Sequence, residues 1–89
     1  APLKVLLELT LPFVRVGGVF IAYKSKAFED ELRSAQRAML VLGGKLDKIQ
    51  KVDIYQADIE RYLLVIKKVS PTPGQYPRKA GIPKKRPIQ

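Results

Sequence analysis

The last twenty residues limit where regular structure can form. Residues 70–89 contain five prolines and two glycines. Proline lacks a backbone N–H and fixes φ, so this segment cannot form a long helix or join a central strand. The sequence therefore divides into a folded part, residues 1–69, and a proline-rich tail, residues 70–89.

Charge divides the chain at nearly the same place. The net charge is +9, yet residues 1–66 hold ten Lys/Arg and eight Asp/Glu and contribute only +2. Residues 67–89 have no acid and seven cations: Lys67, Lys68, Arg78, Lys79, Lys84, Lys85 and Arg86. This asymmetry favours a polyanionic partner, a nucleic acid before an anionic membrane. The alternative is a solvated tail whose charge maintains solubility.

Composition excludes several classes of function. The chain has no cysteine and no histidine, which rules out zinc sites of the usual type and Ser-His or Cys-His nucleophiles within it. An all-oxygen metal site remains possible. No apolar run approaches the roughly 18 residues of a membrane span, so we expect no membrane insertion. The lack of cysteine suits a cytoplasmic protein.

Apolar spacing predicts two helices and three strands. Residues 2–13 are leucine-rich, with only a narrow polar side at Lys4 and Glu8, and predict a helix that is covered on most of its surface. Residues 27–44 place apolar side chains at steps of four and three, predicting a second helix that ends at a glycine pair. Strands are predicted at 19–24, 45–55 and 61–69, with a polar turn at 56–60 between the last two.

This order, helix, strand, helix, strand, strand and tail, predicts an α/β fold. The continuous apolar run of residues 19–24 predicts a strand buried on both faces, as in a parallel sheet, and such a strand needs neighbours. The first helix has no strand before it, and the chain begins at Ala1 rather than at a methionine. We therefore expect a fragment of a larger α/β domain, truncated at its N-terminal side.

Four segments in sequence order carry a family resemblance. They are LLELTLPFVRVGGVFIAYK, LGGKLDKI, ERYLLVIKK and PTPGQYPRKAGIPKKRPI. Together they resemble the C-terminal half of the glucose-inhibited division protein B family, also called ribosomal RNA small subunit methyltransferase G. The most specific element is the tail pattern Y-P-R-K-A-G-x-P-x-K-x-P, whereas the glycine pair before a strand is common to many class I methyltransferases.

The resemblance implies a class I, Rossmann-like methyltransferase with a doubly wound sheet. Such an enzyme uses S-adenosylmethionine to methylate N7 of a guanine in the 530 loop of 16S ribosomal RNA. Its cofactor lies on a glycine-rich turn after the first strand, and neither Gly17-Gly18 nor Gly43-Gly44 fits that pattern. We therefore expect the cofactor site to lie mostly or wholly in the remainder of the methyltransferase domain, and this chain alone to be inactive.

Lys24 is the candidate catalytic residue. It ends the strand VFIAYK, and ligands of open α/β sheets gather at the carboxyl ends of parallel strands. It matches the lysine of the family's A-x-K-G motif, although Ser25 replaces the glycine. An ammonium there could hold an RNA phosphate or stabilise the guanine O6. The alternative is an ordinary strand-end lysine in water.

Arg61 and Tyr76 are further candidates for RNA contact. Arg61 matches the family's arginine after an acid, and its guanidinium suits bidentate contact with a phosphate; a local contact with Glu60 or Asp58 is the alternative. Tyr76 lies in the basic tail and could stack on a splayed base. Tyr62 lies in an apolar strand and is more typical of the core.

The tail supplies the remaining RNA-binding candidates. Its cations would contact phosphates with little sequence preference and a strong dependence on salt: Arg78, Lys79, Lys84, Lys85 and Arg86. The interval 80–83 between the two charge clusters predicts a turn that packs on the folded part. The expected partner is 16S ribosomal RNA in the small subunit. A basic binding module without catalysis, or a fragment that self-associates through a strand edge, remains open.

Overall fold

The computed structural model of the chain describes residues 1–54 and 59–89. Helix α1 (Leu3–Thr10) leads into a 3-10 turn (Leu11–Phe13) and strand β1 (Val19–Lys24). Then come helices α2 (Phe28–Ser34) and α3 (Gln36–Leu42), strands β2 (Gly44–Ile54) and β3 (Ile59–Lys68), and in the tail helix α4 (Ile82–Lys85). The α/β class and the predicted order of elements are confirmed, and the tail gains one helical turn that the sequence did not predict.

The helix predicted at 27–44 consists of two helices that meet at Ala35. The carbonyl of Leu32 accepts the Ala35 N–H at 3.1 Å and the side-chain amide of Gln36 at 3.0 Å. In a continuous helix that carbonyl would accept the backbone N–H of Gln36, so the side chain takes over this position. The apolar side chains of both helices still pack into the same core. Gly43 ends α3, as predicted, and has a φ of 87°.

The three strands form one antiparallel sheet in the order β1-β3-β2. Both outer strands pair with β3; Ile21 lies opposite Val65, and Leu46 lies opposite Ile66. The predicted hairpin of β2 and β3 is confirmed. Residues 55–58 lie outside the described residues, and they include Tyr55 at the end of the predicted strand and most of the predicted turn. Glu60, the last residue of the predicted turn, belongs to β3.

The prediction that strand 19–24 is buried on both faces is wrong for this chain. The side of β1 that carries Ala22 packs beneath the helices, but Val19, Ile21 and Tyr23 on the other side are 47%, 52% and 55% exposed. The neighbour of β1 is antiparallel rather than parallel. An apolar run therefore did not distinguish cover on one face from cover on both.

A core between the helices and one face of the sheet holds the tail in place. Its fully buried side chains come mainly from α1, α3 and β3 and include Leu3, Leu7, Leu42, Leu64 and Ile66. Tyr76 and Ile88 of the tail pack against the same core, and Pro83 is buried. The predicted packing of the interval 80–83 is confirmed. The tail is thus folded onto the body of the molecule.

Candidate nucleic-acid interface

Lys24 lies at the carboxyl end of β1 and contacts the start of α1. Its Nζ is 2.9 Å from Oε1 of Glu31 and donates a hydrogen bond of 2.8 Å to the carbonyl of Ala1. The same Glu31 oxygen accepts the N–H of Leu3 at 2.9 Å. Glu31 therefore binds both the lysine and a free amide at the positive end of α1. Only 10% of the Lys24 side chain is exposed, so its ammonium is already engaged in packing α1 against α2.

Arg61 lines an open cavity at the same edge of the sheet. The register places Tyr62, its neighbour, opposite Lys24. The other lining residues come from the loop after β1 and the start of β3: Ser25, Lys26, Ala27, Ile59 and Glu60. Lys26 is a second cation at this edge that the sequence analysis did not single out. The cavity thus gathers two basic residues, Arg61 and Lys26, with Ser25 and the acid Glu60 at the end of β1.

The alternative for Arg61, a local contact with Glu60, is observed as a backbone hydrogen bond and not as an ion pair within the described residues. Its Nη1 donates to the backbone carbonyl of Glu60 at 3.0 Å. The Glu60 carboxylate instead accepts from the hydroxyl of Tyr62 at 3.1 Å and lies 3.4 Å from Nζ of Lys51. The hydrogen bond from Tyr62, followed by that from Lys51, lowers the pKa of Glu60. The other suggested partner, Asp58, lies outside the described residues.

Arg78 anchors the tail to α1 through Glu8. The guanidinium approaches the carboxylate with both Nε and Nη2, at 2.9 Å and 2.7 Å, and the backbone N–H of Arg78 donates to Oε2 at 2.9 Å. Glu8 is completely buried. The Arg78 Nη2 also donates to the carbonyl of Arg86 at 2.7 Å, which fastens both ends of the segment 78–86. A buried carboxylate therefore fixes the path of the tail.

The electrostatics of this pair follow from its hydrogen bonds. The side-chain hydrogen bonds from Arg78 lower the pKa of Glu8, and burial opposes that shift only in part. The same contacts raise the pKa of Arg78. Both groups are therefore ionised near neutral pH. Such charge-assisted, bidentate pairs are among the stronger hydrogen-bonded contacts in proteins.

The other tail cations project into solvent. Lys79, Lys84, Lys85 and Arg86 are all exposed, and within the described ranges none of them forms an ion pair. Lys84 and Lys85 occupy the single turn of α4. The fold therefore presents four of the five predicted tail cations on one short, ordered segment.

The tyrosines separate into core and surface positions. Tyr62 packs on Phe28 with ring centroids 4.5 Å apart, which confirms its assignment to the core. Tyr76 is half-buried and packs against the same core; that position leaves part of the ring accessible. Tyr23 is more exposed than either of these tyrosines.

Lys68 is a structural cation. In the sequence it counts among the C-terminal cations, because it lies beside the tail. It is 3% exposed, and its Nζ donates to the carbonyls of Leu11 and Val14, the latter at 2.8 Å. It thereby satisfies carbonyls at the end of the first helical segment. Burial lowers the pKa of Lys68. One of the seven C-terminal cations thus supports the fold and is unavailable to a partner.

The described glycines do not form a nucleotide cradle. Gly17 donates its N–H to the carbonyl of Lys68 and precedes a strand, and Gly43 ends a helix. A side chain on Gly44 would collide with Leu11, so that glycine permits close packing in the core. These residues do not fit the S-adenosylmethionine site that the resemblance implies.

Across residues 1–54 and 59–89, no group of Asp and Glu side chains is arranged to hold a metal ion. No helix in that part of the chain has the length and apolarity needed to span a membrane.

Comparison with known proteins gives consistent relatives. The chain is 46% identical over 88 residues to ribosomal RNA small subunit methyltransferase G of Clostridium novyi, covering 99% of the chain and 36% of the relative. Proteins of the same name from Alkaliphilus oremlandii and Alkaliphilus metalliredigens are 49% and 46% identical over the whole chain, which covers 37% of each. No family model matches the chain.

The chain thus spans little more than a third of the length of these curated relatives. The match extends over practically all of its 89 residues, including the proline-rich tail, and confirms the resemblance seen in the sequence. This chain is a homologue of the C-terminal part of the proteins named ribosomal RNA small subunit methyltransferase G.

Proposed function

We propose that this chain forms the C-terminal part of a methyltransferase that acts on ribosomal RNA. The observation that supports this most strongly is identity of 46–49% over the whole chain to proteins of that name. The finer proposal, which rests on the resemblance, is transfer of a methyl group from S-adenosylmethionine to N7 of a guanine in the 530 loop of 16S ribosomal RNA.

The role of this chain within such an enzyme is to hold the RNA. Attack by a guanine N7 uses a lone pair that the base already has, so positioning and electrostatics suffice without a strong general base. Arg61 and Lys26 at the edge of the sheet would contact the RNA near the reacting base. Lys24 beside them is bound to Glu31 and to the carbonyl of Ala1, so its role in this proposal is to hold that edge in place rather than to contact the RNA directly. The exposed tail cations Lys79 and Lys84–Arg86 would contact phosphates further away.

Arg78 and Tyr76 take supporting roles in this proposal. Arg78 is bound to Glu8 and fixes the tail, so its contact with RNA would be secondary. Tyr76 is half-buried against the core, so only part of its ring would be available for stacking on a base. The donor site belongs to the remainder of the methyltransferase domain, because the glycines described above serve turns and packing.

A methyl-transfer assay on two samples tests the proposal. One is the 89-residue chain, and the other is the same reading frame extended upstream; each receives labelled S-adenosylmethionine and small-subunit ribosomal RNA. We expect label in the RNA only with the extended protein. Absence of transfer by the extended protein, together with salt-sensitive RNA binding by the short chain, would support a binding module without catalysis instead.

A further inference from the structure

A second group of cations lies on the face of the sheet opposite the helices. The register places Lys45 of β2 directly opposite Lys67 of β3, and Lys48 opposite Val65. Positions directly opposite in an antiparallel pair have Cβ atoms about 5 Å apart, and diagonal neighbours are about 7–8 Å apart. All three lysines are exposed. They form what is called here the sheet lysine cluster.

A β-bulge determines the composition of this cluster. Between Leu46 and Lys48 the register shifts by one residue, so that Asp47 is the extra residue of β2. Without the bulge, Asp47 would lie opposite Val65 on the lysine face, because successive strand residues alternate between faces. The bulge puts Lys48 there instead. Bulges commonly re-aim side chains in this way.

The arrangement is unfavourable for an isolated sheet. Like charges directly opposite each other destabilise a strand pair, and in the described part of the chain none of the three lysines forms an ion pair. The acid of β2 nearest to the cluster, Asp47, is exposed and forms no ion pair within the described residues. Asp53 and Glu60 lie opposite each other at the far end of the hairpin. A polyanion would relieve this repulsion.

We propose that Lys45, Lys48 and Lys67 form a second phosphate-contacting surface, separate from the tail. The tail packs on α1 on the other side of the sheet, through Arg78 and Glu8. The cluster also lies away from the edge that carries Lys24 and Arg61, since Lys67 is near the end of β3 and Arg61 is near its start. It therefore contacts RNA backbone remote from the methylated base. This inference rests on the proposed function for the identity of the polyanion.

The salt dependence of RNA binding tests the cluster. The double variant Lys45→Gln and Lys67→Gln is compared with Arg33→Gln and Arg37→Gln, which remove the same charge from exposed positions on α2 and α3. Both are made in the protein encoded by the full reading frame, and binding to small-subunit ribosomal RNA is measured over a range of salt concentrations. Each lost phosphate contact lowers the slope of log K against log salt by about 0.7 to 0.9. We expect the slope for the cluster variant to fall by about 1.4 to 1.8. The slope for the control variant should fall by less than the equivalent of half a phosphate contact.

Equal slopes for the two double variants would overturn the proposal. So would a cluster variant that keeps the RNA slope of the wild type but loses binding to phosphatidylserine vesicles, because the surface would then serve a membrane. If the double variant does not fold, the single variant Lys45→Gln replaces it. Its slope should fall by the equivalent of about one phosphate contact. Methyl transfer by the wild type is scored separately, so failure of the proposed function leaves the slope comparison intact.

Discussion

The folded body and the tail use their cations in different ways. In the body, the ammonium groups of Lys24 and Lys68 bind backbone carbonyls that terminate or precede helical segments. In the tail, Arg78 is fixed by an acid, and the other cations are exposed and form no ion pair with any residue that the structure describes. Net charge per segment therefore does not locate a binding surface. The partner of each cation decides whether it supports the fold or is available to RNA.

Removing the anchor between the two regions should have the largest effect. Glu8→Gln leaves the guanidinium of Arg78 partly buried without its counter-charge, and an unpaired buried ion is costly. Because 28% of the Arg78 side chain is exposed, we expect a loss of about 2–3 kcal/mol in the free energy of unfolding. Urea denaturation measures it.

The matched control for this prediction is the exposed pair of Arg33 and Asp30. Its side chains are 73% and 85% exposed, and such pairs contribute little. Arg33→Gln should change the free energy of unfolding by less than about 0.5 kcal/mol. An equal loss in the two variants would show that the buried pair does not hold the tail.

The body's own structural cation should have the next largest effect. Lys68→Met keeps the aliphatic length but leaves the carbonyls of Leu11 and Val14 without this donor. We expect a loss of about 1–2 kcal/mol in the free energy of unfolding, because unsatisfied buried acceptors are costly. Lys67→Met, at the exposed neighbouring position, should be neutral or slightly stabilising, because it also removes the repulsion between Lys67 and Lys45. A stability for Lys68→Met equal to that of Lys67→Met would contradict the assignment.

Acid should weaken the anchor in a defined direction. The folded-state pKa of Glu8 is lowered from its ordinary value of 4.5 by the hydrogen bonds from Arg78, so its contribution to stability is complete above that value and is lost as pH falls through the lowered pKa. Denaturation of the wild type and of Glu8→Gln at several pH values should show their difference shrinking below about pH 4.5. A difference that stays constant down to pH 2 would contradict the lowered pKa.

Local sequence patterns predicted the helices and strands. They did not predict the side-chain contacts between residues that are distant in sequence. The stripe from Phe28 to Leu42 and the hairpin followed from spacing alone. Glu8 looked like part of a narrow polar side of α1, and its partner Arg78 lies 70 residues away. A lone acid among leucines was the one available signal. Lys68 similarly binds carbonyls 54 and 57 residues away, which no local periodicity reveals.

The strand at 19–24 shows a different limit. Its apolar run was consistent with a strand covered on both faces, yet the helices of the described chain cover only one face of it. Likewise, the break at Ala35 depends on a side-chain hydrogen bond from Gln36 that leaves no trace in the apolar spacing. Lys24 was placed correctly at the end of its strand, but its contact with Glu31 needed the packing of α1 against α2.

The free tail cations should have the smallest effect on folding. Lys84→Gln with Lys85→Gln removes two exposed charges from α4, so the free energy of unfolding should change by less than about 0.5 kcal/mol. The salt slope of RNA binding should nevertheless fall by about 1.4 to 1.8. An unchanged slope would mean that these lysines serve solubility.

The most direct test of the central claim, that the docked tail presents its free cations to RNA, is steady-state methyl transfer by the extended protein. Wild type and the variant Lys84→Gln with Lys85→Gln are compared at one salt concentration with small-subunit ribosomal RNA as substrate. We expect a several-fold rise in KM for RNA with kcat unchanged, because the lost contacts bind the ground state and the transition state equally. An unchanged KM, or a fall in kcat alone, would contradict the claim.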